Sequence, residues 1–584
     1  MDIRLFIPPT FAAWILACAF AAAGDSPPPV YHRGTARKIA QLTGEVDRTL
    51  RVPTRSRTRS RASILGTDLG SSFEHKGRLC FLFGDTAGAH GGGRDSFAWS
   101  DAAGPEALRL DFPVDSEGKF IPISIPGISQ KAYEVPTGGI SIGDAMYIVF
   151  TTDWLGEDVK NMGRSVLARS LDDGMTWEAL YDLSQHRDGD LSQAHFINAA
   201  LAETDSAAWD GGLPWPGQVV LIWGSGAYRK SSPRLACIPS ERIEDRSALR
   251  YFAGLDSAGA PRWSERESDA AALADHDVVG ELSAAWIEPV RRWTMLYNSK
   301  EPRGIVMRTA SKPWGPWSDA EVVFQPWLDN GYGNFMHVSW ELPERRDAFH
   351  DPNKQNVWAG AYGPYLIPRF AHGDARRCWI YYTLSSWNPY QVILARSEIG
   401  APLDPPPPLL EESTLSFGDA QWRKTSDDFY RIAERDGQRW LTTFAERKDA
   451  DQGALWRWLP RDGSAVALRF FVRGGQAEAM LLEGGGDIPT DAADMRALYD
   501  SIKRGEYGTV VRCAWGLNDT ETPVTVEWRL SPYDRANLKV AIIDALDSPW
   551  GFVGVSEIQM TRDSNVHPDR AEDRAARMDG LGSN

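Results

Sequence analysis

Five segments of similar pattern recur along this chain: FAWSDA from Phe97, LARSLD from Leu167, LACIPS from Leu235, VMRTAS from Val306 and LARSEI from Leu394. Their separations are about 70, 68, 71 and 88 residues. Each follows an apolar run (CFLFGD, MYIVFTTDW, VVLIWGSG, WTMLYNS, CWIYYTLSSW) and each leads into a turn, often with a Trp. Apolar and polar residues alternate by two here, whereas helical repeats would place apolar residues every three to four positions. Repeats of this length cannot bury their faces alone and must stack on one another. Five strand-built units over residues 35–400 therefore predict a five-bladed β-propeller.

One unit carries a sharper mark. SLDDGMTW, Ser170 to Trp177, has the pattern Ser-x-Asp-x-Gly-x-Thr-Trp and is similar to the Asp-box of sialidases and other propellers. Asp172 is expected to close a turn through backbone hydrogen bonds, Gly174 to supply an unusual φ, and Trp177 to pack between blades. KPWGPWS, from Lys312, reads as the corresponding turn in another unit. Beyond it, APLDPPPPLL over 401–410 reads as a stiff Pro-rich linker. ALRFFVRGG, GTVVRCAWG, PVTVEWRLS and KVAIIDA then alternate between turn residues. They predict a β-sandwich of jelly-roll type over 411–562 with a possible carbohydrate-binding role. The charged, Gly- and Ser-containing end, 563–584, reads as a disordered tail. The expected fold class is all-β.

The first residues, MDIRLFIPPTFAAWILACAFAAAGDSPPP, combine one Arg, an apolar run and small residues before Asp25. They read as an export signal over 1–24, which implies a secreted or periplasmic protein. Cys18 faintly resembles a lipoprotein site, but the apolar run continues past it, so anchoring there is the lesser reading. No other stretch is apolar and long enough to span a bilayer. The remaining cysteines, Cys80, Cys237, Cys378 and Cys513, are far apart and lack metal-ligand spacing. No metal or cofactor is expected. A net charge of −16 argues against a nucleic-acid partner. The 24 Trp suit both blade packing and sugar stacking.

GTDLGSSFEHKGRLCFLFGDT, residues 66–86, reads as a hairpin turning at Lys76-Gly77. Counted outward from that turn, His75 faces Arg78, Phe73 faces Cys80 and Asp68 faces Asp85. Like charges opposite one another are costly. Two neighbouring carboxylates, however, push their pKa values apart and leave one as acid and one as base, the equipment of a glycosidase. The apolar CFLF run before Asp85 favours Asp85 as the acid.

The same stretch resembles the opening signature of a long-uncharacterised domain family, now grouped with five-bladed propeller glycoside hydrolases, some of which cleave D-arabinan. The likeness continues through RYFAGLDSAGAPRWSERESDA, GELSAAW, WTMLYNSKEPRGIVMRTASKPWGPWSDAEVVF, YGPYLIPRF and YYTLSSWNPYQVILARS, over roughly 35–400. The resemblance implies an arabinanase- or arabinofuranosidase-like hydrolase, with Asp68 and Asp85 catalytic and the glycosidic bond cleaved with inversion. Its substrate would be a furanose-containing polysaccharide or oligosaccharide. Asp153, Glu281, His90, Asn334, His337, Trp387 and Asn388, with Tyr390 beside them, are candidates to bind the sugar. The alternatives are a non-catalytic glycan-binding propeller, or a sialidase-like hydrolase, for which no Arg triad is evident. The sequence leaves the oligomeric state open.

Overall fold

Within residues 30–400, five antiparallel sheets follow one another along the chain, beside a two-stranded one formed by Val46–Asp47 and Val52–Pro53. The computed structural model describes residues 27–186, 190, 192–341, 347–402, 410–426, 429–435, 437–443, 452–474, 478–516, 522–530, 537–545 and 553–563. The expected export signal, Cys18, most of the Pro-rich linker and the tail after Asp563 lie outside the described residues. Ile64–His75, Pro136–Ile142, Asn198–Asp205, Val279–Ile287 and Ala361–Leu366 are the leading strands of sheets one to five. Each packs against the leading strands on either side, and Ala361–Leu366 returns to Ile64–His75, so the five close a ring. The strands approach so closely that some positions admit only Gly. A Cβ on Gly138 would lie 2.4 Å from the carbonyl of Ala199, and one on Gly139 would lie 2.6 Å from the Phe73 ring.

The apolar runs are explained by burial on both faces. In Arg78–Gly88, Phe81 and Phe83 pack with Tyr381, Val392 and Leu394 of the fifth sheet, while Cys80 and Leu82 pack with Met146, Ile148 and Phe150 of the second. Val149 and Leu167 meet Val220 and Ile222 between sheets two and three. Leu221 and Trp223 meet Met295 and Val306 between three and four, and Leu296 and Met307 meet Ile380 and Tyr382 between four and five. All five repeat segments fall on the strand two after the leading one of their sheet. The Asp-box turn forms as its residues dictate. The Thr176 N–H and hydroxyl donate to Asp172, Gly174 sits at φ 90°, and Trp177 is buried between the first two sheets.

The ring begins earlier than residue 35. Val30–Tyr31 and Arg37–Gln41 both pair with Tyr390–Gly400, so the start and finish of the ring share one sheet. From Leu410 onward, a seven-stranded and a five-stranded sheet pack face to face. Leu468, Phe470, Val555 and Ile558 of one meet Leu455, Leu481, Val540 and Ile542 of the other. The expectation of strands alone over 411–562 needs one correction. Met495–Lys503 is a helix, capped by the Asp494 side chain, that lays Met495, Leu498 and Ile502 on the outer face of the five-stranded sheet. Arg51 lies 3.9 Å over the Trp515 ring and Phe349 packs edge-on against it, docking this module on the ring. Among the described residues, no helix is long and apolar enough to cross a membrane.

Candidate active site

The Lys76-Gly77 turn forms with both residues at positive φ, 48° and 81°, and His75 and Phe73 pair with Arg78 and Cys80. Farther out the register slips. Gly70, at φ 94°, is left unpaired between Leu69 and Ser71, so Asp68 pairs with Gly84 and not with Asp85. On the other edge of Arg78–Gly88 the pairing skips from Phe83 to Thr86, and Asp85 is held at φ 42°. Bulges re-aim side chains beside functional sites, and a left-handed non-glycine residue costs of order 1 kcal/mol. Gly84 is the enabling residue: a Cβ there would lie 2.7 Å from Val135 and 3.0 Å from Asp68 Oδ1.

Both aspartates line a cavity of about 720 Å³ at one end of the ring. Every leading strand contributes, through Asp68, Thr137, Asn198, Glu281 and Tyr362. Trp154, Trp327, Trp358 and Trp387, with Tyr133 and Tyr332, form an aromatic surround. All the lining residues fall between 68 and 390, so the C-terminal module contributes none.

The two carboxylates have different surroundings. Asp68 is buried; Oδ2 accepts from the Tyr362 hydroxyl at 2.9 Å, and Oδ1 has no hydrogen-bond partner. Burial first, then the charge of Asp85, raises its pKa well above the usual carboxylate range, against the pull of the Tyr362 and Tyr390 hydroxyls. Asp85 is partly exposed, and its oxygens accept from the Tyr133 N–H at 2.9 and 3.2 Å. Burial raises its pKa too, and the Tyr133 N–H opposes that rise. Behind it, Asp95 is buried and accepts from the Asp85 N–H at 3.3 Å; burial and the charge of Asp85 hold its pKa well up. The more deeply buried aspartate is thus Asp68, whereas the CFLF run points to Asp85 as the desolvated one.

Glu281 and Trp387 also line the cavity. Glu281 accepts from the Tyr228 hydroxyl at 2.8 Å and the Asn298 amide at 3.1 Å. Trp387 stays 47% exposed, with the Lys354 ammonium 4.2 Å from its ring centre.

The other candidates lie elsewhere. His90 is on an exposed turn, donating from Nε2 to the Phe120 carbonyl. Asp153 points outward into an ion pair with Arg164 at 2.6 Å, while its neighbour Trp154 takes the cavity. Asn334 is buried beside a second, much smaller cavity against Trp515 and Val524 of the C-terminal module. His337 is fully buried between Asp347 and the Gln355 carbonyl. Asn388 is fully buried and bonds Lys354, Val357 and Asp351, bracing the loop that carries Trp358. None of these five lines the cavity that holds Asp68 and Asp85. His90, Asp153, His337 and Asn388 spend their polar atoms on the protein itself, and the buried Asn334 Oδ1 has no hydrogen-bond partner among the described residues.

Tyr390 was expected as a stacking platform; its hydroxyl donates to the Asp85 carbonyl at 3.2 Å. Tyr362, Tyr228, Asn298 and Asp95 were not foreseen. Tyr362 falls in the quoted YGPYLIPRF stretch, but nothing local marks its hydroxyl as the partner of a residue 294 positions away. Among the described residues, no three His, Cys, Asp or Glu side chains gather as a metal site would.

Asp68 and Asp85 thus line one cavity at a mouth of the ring of sheets. The chain belongs to the family described as a domain of unknown function (DUF4185), which matches residues 54–396. No curated protein matches it. Among solved structures it is similar to the GH43_1 enzyme from Xanthomonas citri complexed with xylotriose. That likeness has 12% identity and a TM-score of 0.33, over 62% of this chain and 90% of that one. It is also similar to a family 43 arabinoxylan arabinofuranohydrolase from Bacillus subtilis, at 11% identity and a TM-score of 0.30, over 90% of this chain and 99% of that one. Xylan β-1,4-xylosidase from Bacillus halodurans C-125 follows at 8% identity and a TM-score of 0.30, over 86% and 99%. The likeness is weak at these scores, and the chemistry rests on the cavity's own residues.

Proposed function

We propose that this protein is an exported glycoside hydrolase, a five-bladed β-propeller followed by a jelly-roll-like sandwich, that cleaves a furanose-containing, arabinan-like polysaccharide with inversion. The observation that carries this reading is the placement of two aspartates of unlike surroundings in one aromatic-lined cavity. Asp68, holding its proton, delivers it to the glycosidic oxygen, which leaves with the electron pair of the broken bond. Asp85, the more exposed carboxylate, takes a proton from the water that attacks the anomeric carbon from the opposite face. Glu281, fixed by Tyr228 and Asn298, holds sugar hydroxyls in this reading, and Trp387 stacks on a ring; their position in the cavity lining supports both roles. The resemblance of residues 66–86 to propeller glycosidases supports the same reading.

The test is proton NMR of the first product released from arabinan. Initial appearance of the anomer opposite to that of the substrate supports inversion; initial retention of configuration contradicts it.

A further inference from the structure

The acid–base pair leaves four cationic side chains of the cavity unexplained: Lys160, Arg229, Lys300 and Arg303. The chain carries 63 basic and 79 acidic residues, yet the lining holds four bases against four acids, Asp68, Asp85, Glu157 and Glu281. Elsewhere basic residues commonly pair, as Arg164 does with Asp153 and Asp182 and Arg377 with Glu398. Among the described residues, none of the four cavity cations has a carboxylate oxygen within 4.0 Å. Arg229 is the most confined. Its guanidinium lies 4.7 Å over the Tyr228 ring, and its buried Nε has no hydrogen-bond partner.

Three of these cations form one wall. The Arg229 N–H bonds the Val279 carbonyl, and its side chain runs along Gly280, where a Cβ would lie 3.3 Å from it, beside Glu281. Lys300 and Arg303 pair across the turn that begins two residues after Asn298, whose amide holds Glu281. Arg303 extends over Trp327 at 5.7 Å. The third and fourth sheets that supply this wall stand across the ring from the first sheet, which supplies Asp68 and Asp85.

A neutral sugar offers such a wall no counter-charge. Glu281 and the Tyr228 side chain favour the charge on Arg229, but among the described residues no carboxylate oxygen bonds its guanidinium. An anion on the ligand would supply the charge-assisted hydrogen bonds that this wall lacks. The guanidinium fork suits carboxylate and phosphate alike. We infer that the glycan cleaved here bears an anionic group, a carboxylate or a phosphate, on the sugar unit seated against Arg229, Lys300 and Arg303. This rests on the glycoside hydrolase reading and narrows its substrate class.

The experiment uses two matched pairs of arabinose-containing glycans: a uronate-bearing one with its carboxyl-reduced form, and a phosphate-bearing one with its dephosphorylated form. Reducing ends are measured for the wild type, Arg229→Met and the exposed Arg303→Met, at low and at 300 mM salt. The charged member of one pair should be cleaved with kcat/KM about tenfold above its neutral partner. That preference should shrink in both variants and with salt, and the pair that shows it identifies the anion. Equal kcat/KM within both pairs, or a preference untouched in Arg303→Met, overturns the inference while leaving the hydrolase standing. Tighter binding of a charged member by titration calorimetry, lost in Arg303→Met and with no glycan cleaved, overturns the hydrolase and leaves the anion site standing.

Discussion

The Tyr362 hydroxyl donates to Asp68 Oδ2 at 2.9 Å and leaves Oδ1 of the same carboxyl buried without a partner. One oxygen is fixed by the tyrosine and the other is enclosed beside Gly84, so the carboxyl is anchored and shielded from water, the surroundings that keep a carboxylic acid protonated.

Tyr362→Phe should therefore lower kcat by about tenfold, within the range of a general acid's contribution. The tyrosine hydroxyl favours the charged form of Asp68, so its removal raises the Asp68 pKa further. The alkaline limb of the kcat profile should move to higher pH. A loss of kcat with an unmoved limb would assign Tyr362 to packing alone.

Asp85→Asn tests the coupling from the other side. The charge of Asp85 raises the Asp68 pKa, so its neutralisation should bring that pKa down. Carboxyl carbon NMR titration of the two proteins reads this directly. In the wild type, activity should fall on the acid side as Asp85 takes up a proton and on the alkaline side as Asp68 gives its proton up.

Trp387→Ala should raise KM by about tenfold while sparing kcat, because stacking of a sugar on an exposed ring contributes of order 1 kcal/mol without touching the reacting bond. The ring is 47% exposed, so folding should be unaffected. Steady-state kinetics on one oligosaccharide series distinguish the two parameters.

Ring closure has its own test. Glu398 is fully buried, accepts from His32 at 2.6 Å, and is held by Arg377. Burial raises its pKa, but the His32 and Arg377 contacts outweigh burial and leave it below the usual glutamate value. A depressed carboxylate pKa gives stability that is present above the unfolded value, about 4.3, and is lost as pH falls toward the folded one. Glu398→Gln should cost roughly 3 kcal/mol in denaturant unfolding at pH 7, and less as the pH falls below about 4.

Much of the ring could be read from the chain because its cause is local. The alternating runs CFLF, MYIVF and VVLIW must be covered on both faces, and the repeat spacing states how many times. The hairpin turn was equally legible, since Lys76-Gly77 needs only positive φ. The register beyond Gly70 was not, because a bulge depends on the neighbouring sheets that Leu69 and Gly70 pack against. His337 and Asn388 look like sugar-binding residues by type. They serve the protein because Asp347, and the carbonyls of Lys354 and Val357, reach them through folded loops. Arg229 carries no local signal; its place in the cavity comes from closing the ring.

The most direct measurement is release of reducing ends from an arabinan-rich polysaccharide by the wild type, Asp68→Asn and Asp85→Asn, with thermal unfolding followed in parallel. Each substitution should lower turnover by at least about 100-fold with Tm preserved. Turnover at the wild-type rate in both variants would contradict the acid–base pair.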